Sequence, residues 1–545
     1  MKNAILSFPL PANEPVKTYL KGSPERTSLE AELQRQSQTV VDIPLIIGGK
    51  EVRTGNIGYV VMPHDHKHIL ATYHKAGEKE VKMAIDAAMQ AHKEWADLDW
   101  TVRASIMLKI AELLAGKYRS VINAACMLGQ SKNIFQAEID SACETIDFFR
   151  YNVSYASKIY GFQPKSAPGQ INSVEYRPLE GFVFALSPFN FTSIASNLTM
   201  SPVLMGNTTV WKASTTAILS NYYLMKVYEE AGLPAGVVNF LCGSGALIGK
   251  TIFESKDLAG VHFTGSCATF NTLWKQVGEN LGHYKAYPRL VGETGGKDFI
   301  FVHPSAATQV AEVANAAYCG AFEYQGQKCS AASRMYIPSS LWPDVLEQMK
   351  VIDAKVKMGD VCDPSNFINA VIDGTSFKNI VSYIEYARQS PDAEIVLGGQ
   401  YDDRVGYFVR PTVICTSNPH FKSLEEEIFG PVLTVYVYPD SDVEQAVALC
   451  DTTSPYGLTG GVFGRDRVAV QKIADALRYA AGNFYINDKP TGAVVGMQPF
   501  GGARSSGTDD KAGGEFNLIR WSIPRAIKET LVTAVDYRYA YMKED

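Results

Sequence analysis

Cys329 sits in the stretch EYQGQKCSAASR (Glu323–Arg334), just after Gly326 and Lys328 and ahead of a run of small residues. A thiolate attacks carbonyl carbon, and a neighbouring cation or helix N-terminus favours that form of the sulfur. A cysteine also packs as a small hydrophobe, so the residue alone leaves both readings open. A carboxylate stands in comparable company in GETGGKDFIFV (Gly292–Val302), where Glu293 precedes the pair Gly295 and Gly296 and an apolar run. A carboxyl group enclosed beside such a turn loses solvation, its pKa rises, and it becomes a useful general base. The alternative for Glu293 is a carboxylate that only caps the turn.

Two further segments have the chemistry to hold a dinucleotide, although no GxGxxG fingerprint is present. In FTGS (Phe263–Ser266), Gly265 and Ser266 follow an apolar strand pattern and precede a helical pattern. Amide groups and the helix dipole favour a pyrophosphate there, though the same residues also suit an ordinary strand–helix turn. In VWKAS, Lys212 and Ser214 end a second strand pattern. This lysine either bonds ribose and phosphate oxygens or is a solvated loop residue.

These residues must be positioned by regular elements. Residues 1–60 read as an irregular arm ending in short strands, with a turn at Gly48 and Gly49. Two amphipathic helices follow. Val81, Ala84, Ile85, Ala88 and Met89 recur at helical spacing in the first, and Ile106, Met107, Ile110, Leu113 and Leu114 in the second. Ala137–Asn152 reads as a third helix. From Gly181, strand and helix patterns alternate, and a second alternation starts near Phe299 and runs past Phe484. Such alternation implies an α/β fold with parallel, doubly wound sheets, whose ligands bind beyond the carboxyl ends of the strands.

Composition bounds the function. At 545 residues the chain calls for two or three domains, and a net charge of −6 gives no basis for nucleic acid or an anionic membrane as partner. No apolar run reaches the roughly 20 residues that span a bilayer. The nine cysteines are odd in number and form no CxxC pair, which argues against a disulfide framework or a zinc ribbon. No metal is expected, and a reducing compartment is. The first residues have neither a long apolar core with a cleavage site nor an Arg-rich character. The expectation is a cytoplasmic protein, or a mitochondrial matrix protein already processed.

Nine blocks bring these residues together: SPFNF (Ser187–Phe191), WKAS, FTGS, GETGGK, GQKCSAASR, GYFVRPTV, EEIFGPV (Glu426–Val432), NFYIN and PFGG (Pro499–Gly502). Their order resembles that of the aldehyde dehydrogenase superfamily from about residue 45 onward. The resemblance implies an aldehyde dehydrogenase-like fold: a Rossmann-like cofactor domain (1–154 and 179–297), an α/β catalytic domain (298–514) and a small β flap (155–178 and 515–545). It implies that Cys329 is the nucleophile, giving a thiohemiacetal and then a thioester. It implies that Asn190 is an oxyanion donor and that Glu293 activates the hydrolytic water. A preorganised oxyanion donor contributes on the order of 3 kcal/mol. For NAD it implies contacts from Lys212, Ser214, Gly265, Ser266, Glu427 and Phe429. Thr215 and Thr216 stand where many NAD-preferring members have an acidic residue, so exclusion of NADP does not follow.

The long run NDKPTGAVVGMQPFGGARSSGT resembles the branch of that family that oxidises L-glutamate γ-semialdehyde, as in proline catabolism. The resemblance implies a carboxylate anchor at Pro490–Ala493, with backbone N–H groups of Gly492 and Ala493 and the hydroxyl of Ser330 as donors. Phe191 and Phe500 would flank the aliphatic stem. The chain departs from the pattern at Ala493, where serine is frequent, and weaker substrate binding is the expected result. Lys328 either stabilises negative charge at the site or forms a structural ion pair. Glu144 reads as a solvated or capping carboxylate, with the substrate ammonium as its alternative partner. Two other readings stay open: a different semialdehyde, or a non-catalytic protein that keeps the fold, against which Cys329, Glu293 and Asn190 together argue. A projecting flap exposes an edge strand, which a second subunit covers, so a homodimer is the minimum assembly and a higher homo-oligomer is open.

Overall fold

The computed structural model describes residues 6–543. The N-terminal arm is not wholly irregular. A helix spans Pro24–Ser37, with Pro24 at its start and the Ser23 hydroxyl accepting a hydrogen bond from the Arg26 N–H at 3.3 Å. Only Leu29, Leu33 and Gln36 are buried along it. So thin an apolar stripe escapes a periodicity reading.

The two amphipathic helices are Glu78–Asp97 and Trp100–Ala115, with most of the expected residues buried and Met89, Ile106 and Leu113 partly so. The third is longer than expected and is interrupted. Ile134–Ala137 and Thr145–Gly161 are α-helical, and Glu138–Glu144 between them is π-helical. Widened turns of this kind mark functional sites often. Here the turn carries Asp140, whose carboxylate takes the N–H groups of Thr192 (3.0 Å) and Ser193 (2.9 Å) and so holds the start of the helix Thr192–Leu204.

The first sheet has β1 (Leu45–Ile47), β2 (Lys50–Val52), β3 (Phe182–Leu186), β4 (Thr208–Lys212), β5 (Val238–Leu241), β6 (Leu258–Thr264) and β7 (Arg289–Glu293), in the order β7-β6-β3-β4-β5-β1-β2. Strands β3 to β7 are parallel, and β1 and β2 are antiparallel additions at one edge. The chain runs outward from β3 through β4 and β5, then crosses to the other side of β3 to form β6. The order therefore reverses between β3 and β6, and a crevice opens at their carboxyl ends.

The second sheet has β8 (Asp298–Val302), β9 (Ala332–Pro338), β10 (Ala393–Leu397), β11 (Thr412–Thr416), β12 (Val432–Tyr438), β13 (Thr459–Phe463) and β14 (Asn483–Ile486), in the order β10-β11-β12-β9-β8-β13-β14. Successive residues of a strand face opposite sides. Accordingly Ile300, Val302, Met335 and Ile337 pack on one face with Val313, Ala317 and Met349, while Phe299, Phe301 and Tyr336 pack on the other with Ala446 and Ile473. Helices cover both faces, as parallel sheets require.

The β pairing within the segments expected to form the flap joins one strand from each. Residues 155–161 finish the third helix, and the strand Gln170–Arg177 pairs antiparallel with Ile523–Thr530 from the far end of the chain. The register runs from Ile523 opposite Arg177 to Thr530 opposite Gln170.

Candidate active site

The chain passes from the first sheet to the second through four residues, Thr294 to Lys297, and the reactive groups flank this crossing. Glu293 is the last residue of β7, in register with Thr264, and Leu186 lies in register with both Phe263 and Lys212. The carboxyl ends of β3, β4, β6 and β7 thus share one rim. Cys329 comes from the other side, three residues before β9. A side chain on Gly295 would strike the Glu427 carboxylate, and one on Gly296 would strike Asp298 and the Cys329 carbonyl. Both glycines are there so that these groups can close on the crossing.

Cys329 is held by a strained turn. Tyr324 and Gln325 adopt left-handed φ angles of 51° and 56°, which costs roughly 1–3 kcal/mol per residue. The surroundings fix them. The Tyr324 hydroxyl donates to the Gln130 carbonyl at 3.0 Å, and the Gln325 amide donates to the carbonyls of Ser131 and Ala370, each at 2.9 Å. Asn190 precedes the helix Thr192–Leu204, is buried, and donates through its side-chain nitrogen to the Gln327 carbonyl at 3.2 Å. That nitrogen carries a second hydrogen with no protein acceptor among the described residues, and the Gln327 carbonyl it bonds lies two positions ahead of the nucleophile.

Cys329, Glu293, Phe191, Lys328, Ser330, Gly492, Ala493 and Phe500 all line one cavity of about 530 Å³. Burial pushes the Cys329 thiol well above its ordinary range, and the carboxyl groups of Glu293, Asp298, Glu427 and Glu144 act in the same direction. This corrects the expectation of a thiolate favoured by a nearby cation. Lys328 is buried and spends its charge elsewhere: its Nζ lies 3.1 Å from Glu323 Oε2, and Lys489 Nζ is 2.7 Å from Glu323 Oε1. Of the two readings of Lys328, the ion pair is the one present, although its side chain also reaches the cavity wall. Burial pushes the Glu293 carboxyl up to about 8, with Lys511 opposing and Asp509 and Asp510 adding to the rise.

Also on the cavity wall, the Ser330 and Thr491 hydroxyls are 2.7 Å apart. One must donate to the other, so the pair has a single hydroxyl proton left for a ligand. Thr491 was not foreseen, although its position beside Gly492 in the anchor run was visible. Gly492 has φ +100°, open to glycine and costly for other residues. Glu144 is half-buried and makes no capping hydrogen bond: it closes the π-helical turn and lines the cavity, where burial and then Asp140 push its carboxyl up to about 8. Phe191 is steadied from behind by buried Lys132, whose Nζ lies 4.1 Å from the ring centroid and 2.5 Å from Asp140 Oδ2.

The groups expected to hold a cofactor collect along the rim. Lys212 ends β4, and burial lowers its pKa. The Ser214 hydroxyl lies 3.2 Å from that of Thr216. Gly265 donates its N–H to the Glu293 carbonyl at 3.2 Å, and Ser266 caps the thirteen-residue helix Cys267–Glu279 by accepting from the Thr269 N–H. Glu427 accepts from the Gly296 N–H at 3.0 Å, and burial pushes its carboxyl up to about 7. Phe429 has a φ of 58° and sets its ring edge-on to Phe189, with centroids 5.7 Å apart. A capped helix N-terminus, a lysine at a strand end and a carboxylate across the crevice suit the pyrophosphate and ribose hydroxyls of a dinucleotide.

Residues 53–524 match the model of the aldehyde dehydrogenase family. The delta-1-pyrroline-5-carboxylate dehydrogenase (mitochondrial) of Dictyostelium discoideum is 51% identical over 539 residues, covering 98% of this chain and 96% of its own. The protein of the same name from Homo sapiens is 48% identical, covering 98% and 94%. Among solved structures, the delta-pyrroline-5-carboxylate dehydrogenase of Mycobacterium tuberculosis bound with NAD superposes with a TM-score of 0.95 at 50% identity, over 99% of this chain and 100% of that one.

Proposed function

The chain belongs to the aldehyde dehydrogenase family, and from that premise we propose that it oxidises L-glutamate γ-semialdehyde, the open form of 1-pyrroline-5-carboxylate, to L-glutamate with NAD. One observation carries the substrate: a single cavity holds the Cys329 thiol and Glu293 together with the donors of Ser330, Thr491, Gly492 and Ala493 and the carboxyl of Glu144. An aldehyde at one end and an α-carboxylate with its ammonium at the other match that polarity. The relatives' names and the NAD-bound neighbour support the same reading.

The carboxylate accepts hydrogen bonds from the Gly492 and Ala493 N–H groups and the Ser330–Thr491 pair, which replace the water it loses. Glu144 takes the ammonium, whose charge favours ionisation of this half-buried carboxyl. Phe191 and Phe500 enclose the stem. As the Cys329 sulfur bonds to the carbonyl carbon, the thiol proton passes to the carbonyl oxygen, which also accepts the second N–H of Asn190, and this proton is released to solvent as the thioester forms. NAD, when bound along the Lys212–Ser214–Gly265–Ser266 rim with Glu427 at the ribose and Phe429 beside it, supplies the hydride acceptor. Glu293 then takes a proton from water, which attacks the thioester. Glutamate leaves, and the sulfur recovers a proton.

The compartment we assign is a reducing one, cytoplasm or mitochondrial matrix. All nine cysteines are free, and no helix among the described residues is long and apolar enough to cross a membrane. At least a homodimer fits the ribbon of Gln170–Arg177 and Ile523–Thr530, which stands exposed in one chain.

Steady-state comparison of the semialdehyde with pentanal, run in parallel with NAD and NADP, tests the assignment. Two charge-assisted hydrogen bonds correspond to about a hundredfold or more in kcat/KM. Equal values for the two aldehydes would remove the substrate assignment.

A further inference from the structure

Residues ahead of position 53 lie outside the family match, yet Asn13 and Glu14 line the catalytic cavity. Asn13 uses its whole side chain there. One amide hydrogen goes to Asp147 Oδ2 at 2.8 Å and the other to the Val495 carbonyl at 2.7 Å, while its own oxygen accepts from the Tyr151 hydroxyl at 3.0 Å. Asp147 and Tyr151 belong to the helix Thr145–Gly161, and Val495 lies in the continuation of the anchor loop, two residues past Ala493. The arm itself is fixed. The Glu14 N–H donates to Asp147 Oδ1 at 2.7 Å, and its carboxylate is clamped by Arg119 at 2.5 Å and Arg150 at 2.7 Å.

Beyond Asn13 the loop is held mainly by packing, with the Val495 side chain buried in the first sheet's core cluster and Thr491 bonded to Ser330 ahead of Gly492. Gly492, Val494, Gly496 and Met497 are exposed, and the loop's internal hydrogen bonds run only among Val494, Met497 and Gln498. Among the described residues, the Asn13 bond to Val495 is the one hydrogen bond that ties 492–496 to another element. Contact adds to it next door, where Gly496 lies so close to the Tyr151 ring that a Cβ would collide.

We infer that Asn13 is a positioning residue for substrate specificity: the N-terminal arm fixes the height of the anchor loop over the cavity and thereby the reach of the Gly492 and Ala493 N–H groups toward the substrate α-carboxylate. This rests on the substrate reading above. A short carbonyl tether matters because hydrogen bonds weaken steeply with distance and angle. An aldehyde without a carboxylate uses no donor from this loop and does not register its height.

The test uses the full chain with NAD, and compares glutamate semialdehyde with pentanal in the wild type, N13A and Y151F. N13A is expected to raise KM for the semialdehyde about tenfold with kcat within about twofold, and to lower the ratio of the two kcat/KM values about tenfold. Y151F keeps the ring against Gly496 and removes one bond to Asn13, so a ratio lowered about threefold is expected. It serves also if N13A does not fold. A strong wild-type preference kept intact in both variants, even if both aldehydes slow together, overturns the role of Asn13 alone. A wild type with no preference for the semialdehyde overturns the substrate reading and this inference with it.

Discussion

Ala493 offers a gain-of-binding experiment. Its side chain lines the cavity beside the Gly492 and Ala493 N–H donors, and the Ser330–Thr491 pair has one hydroxyl proton to spare. In A493S the new hydroxyl stands one bond beyond the present Cβ and can donate to the same carboxylate. A hydrogen bond to a charged group contributes roughly 1.5–3 kcal/mol net. Ala493 is half-buried rather than enclosed, so the lower figure applies, and about 1.4 kcal/mol corresponds to tenfold in affinity. The interaction is equally present in ground and transition states, so KM for glutamate semialdehyde should fall about tenfold with kcat unchanged. Initial rates of NADH formation over a semialdehyde titration measure this, with pentanal as control. A KM that does not move, or that falls equally for pentanal, would show that the loop does not receive the carboxylate.

Two other substitutions probe the base and the scaffold behind the site. Burial pushes the Glu293 carboxyl up to about 8, so turnover after the first NADH burst should climb with pH through a half-maximum near 8 and level off about one unit above; E293Q should keep the burst and lose about 10²–10⁴-fold of the later rate, and a variant with the same pH limb would exclude Glu293 as the base. K132M removes the partner of buried Asp140 and should cost about 3–5 kcal/mol in urea unfolding; a loss below about 1 kcal/mol would mean that the Thr192 and Ser193 N–H groups suffice to hold that carboxylate.

What could be read from the sequence was what lies close together along the chain. Cys329 and Glu293 each stand in a short run whose neighbours already state a chemistry, Gly492 and Glu427 stand in runs that resemble the family's, and the strand–helix alternation announced the parallel core of both sheets but not the antiparallel pairings at one edge of each. What could not be read depends on distant partners. The Asn13 bond to Val495 spans 482 positions, and Asp147 lies 134 positions from Asn13. Lys328 looked like a help to the thiolate because Glu323 and Lys489, which engage its charge, meet only in the fold. Glu144 looked like a surface carboxylate on a regular helix because nothing in the local pattern announces a π-helical turn. The upward push on the Cys329 thiol likewise comes first from burial, which only the fold creates, and then from carboxyl groups on separate elements.

The crossing at 294–297 joins two layers that have their own cores: the first sheet's cluster is separate from those that flank the second. Base and nucleophile are therefore parts of different bodies, and the gap between them is set by how those bodies seat. Mild heat can unseat them while each core stays intact, so activity should fade ahead of any loss of secondary structure. The working life of this enzyme is the life of a seam, and changes that reinforce it will lengthen service without strengthening either core.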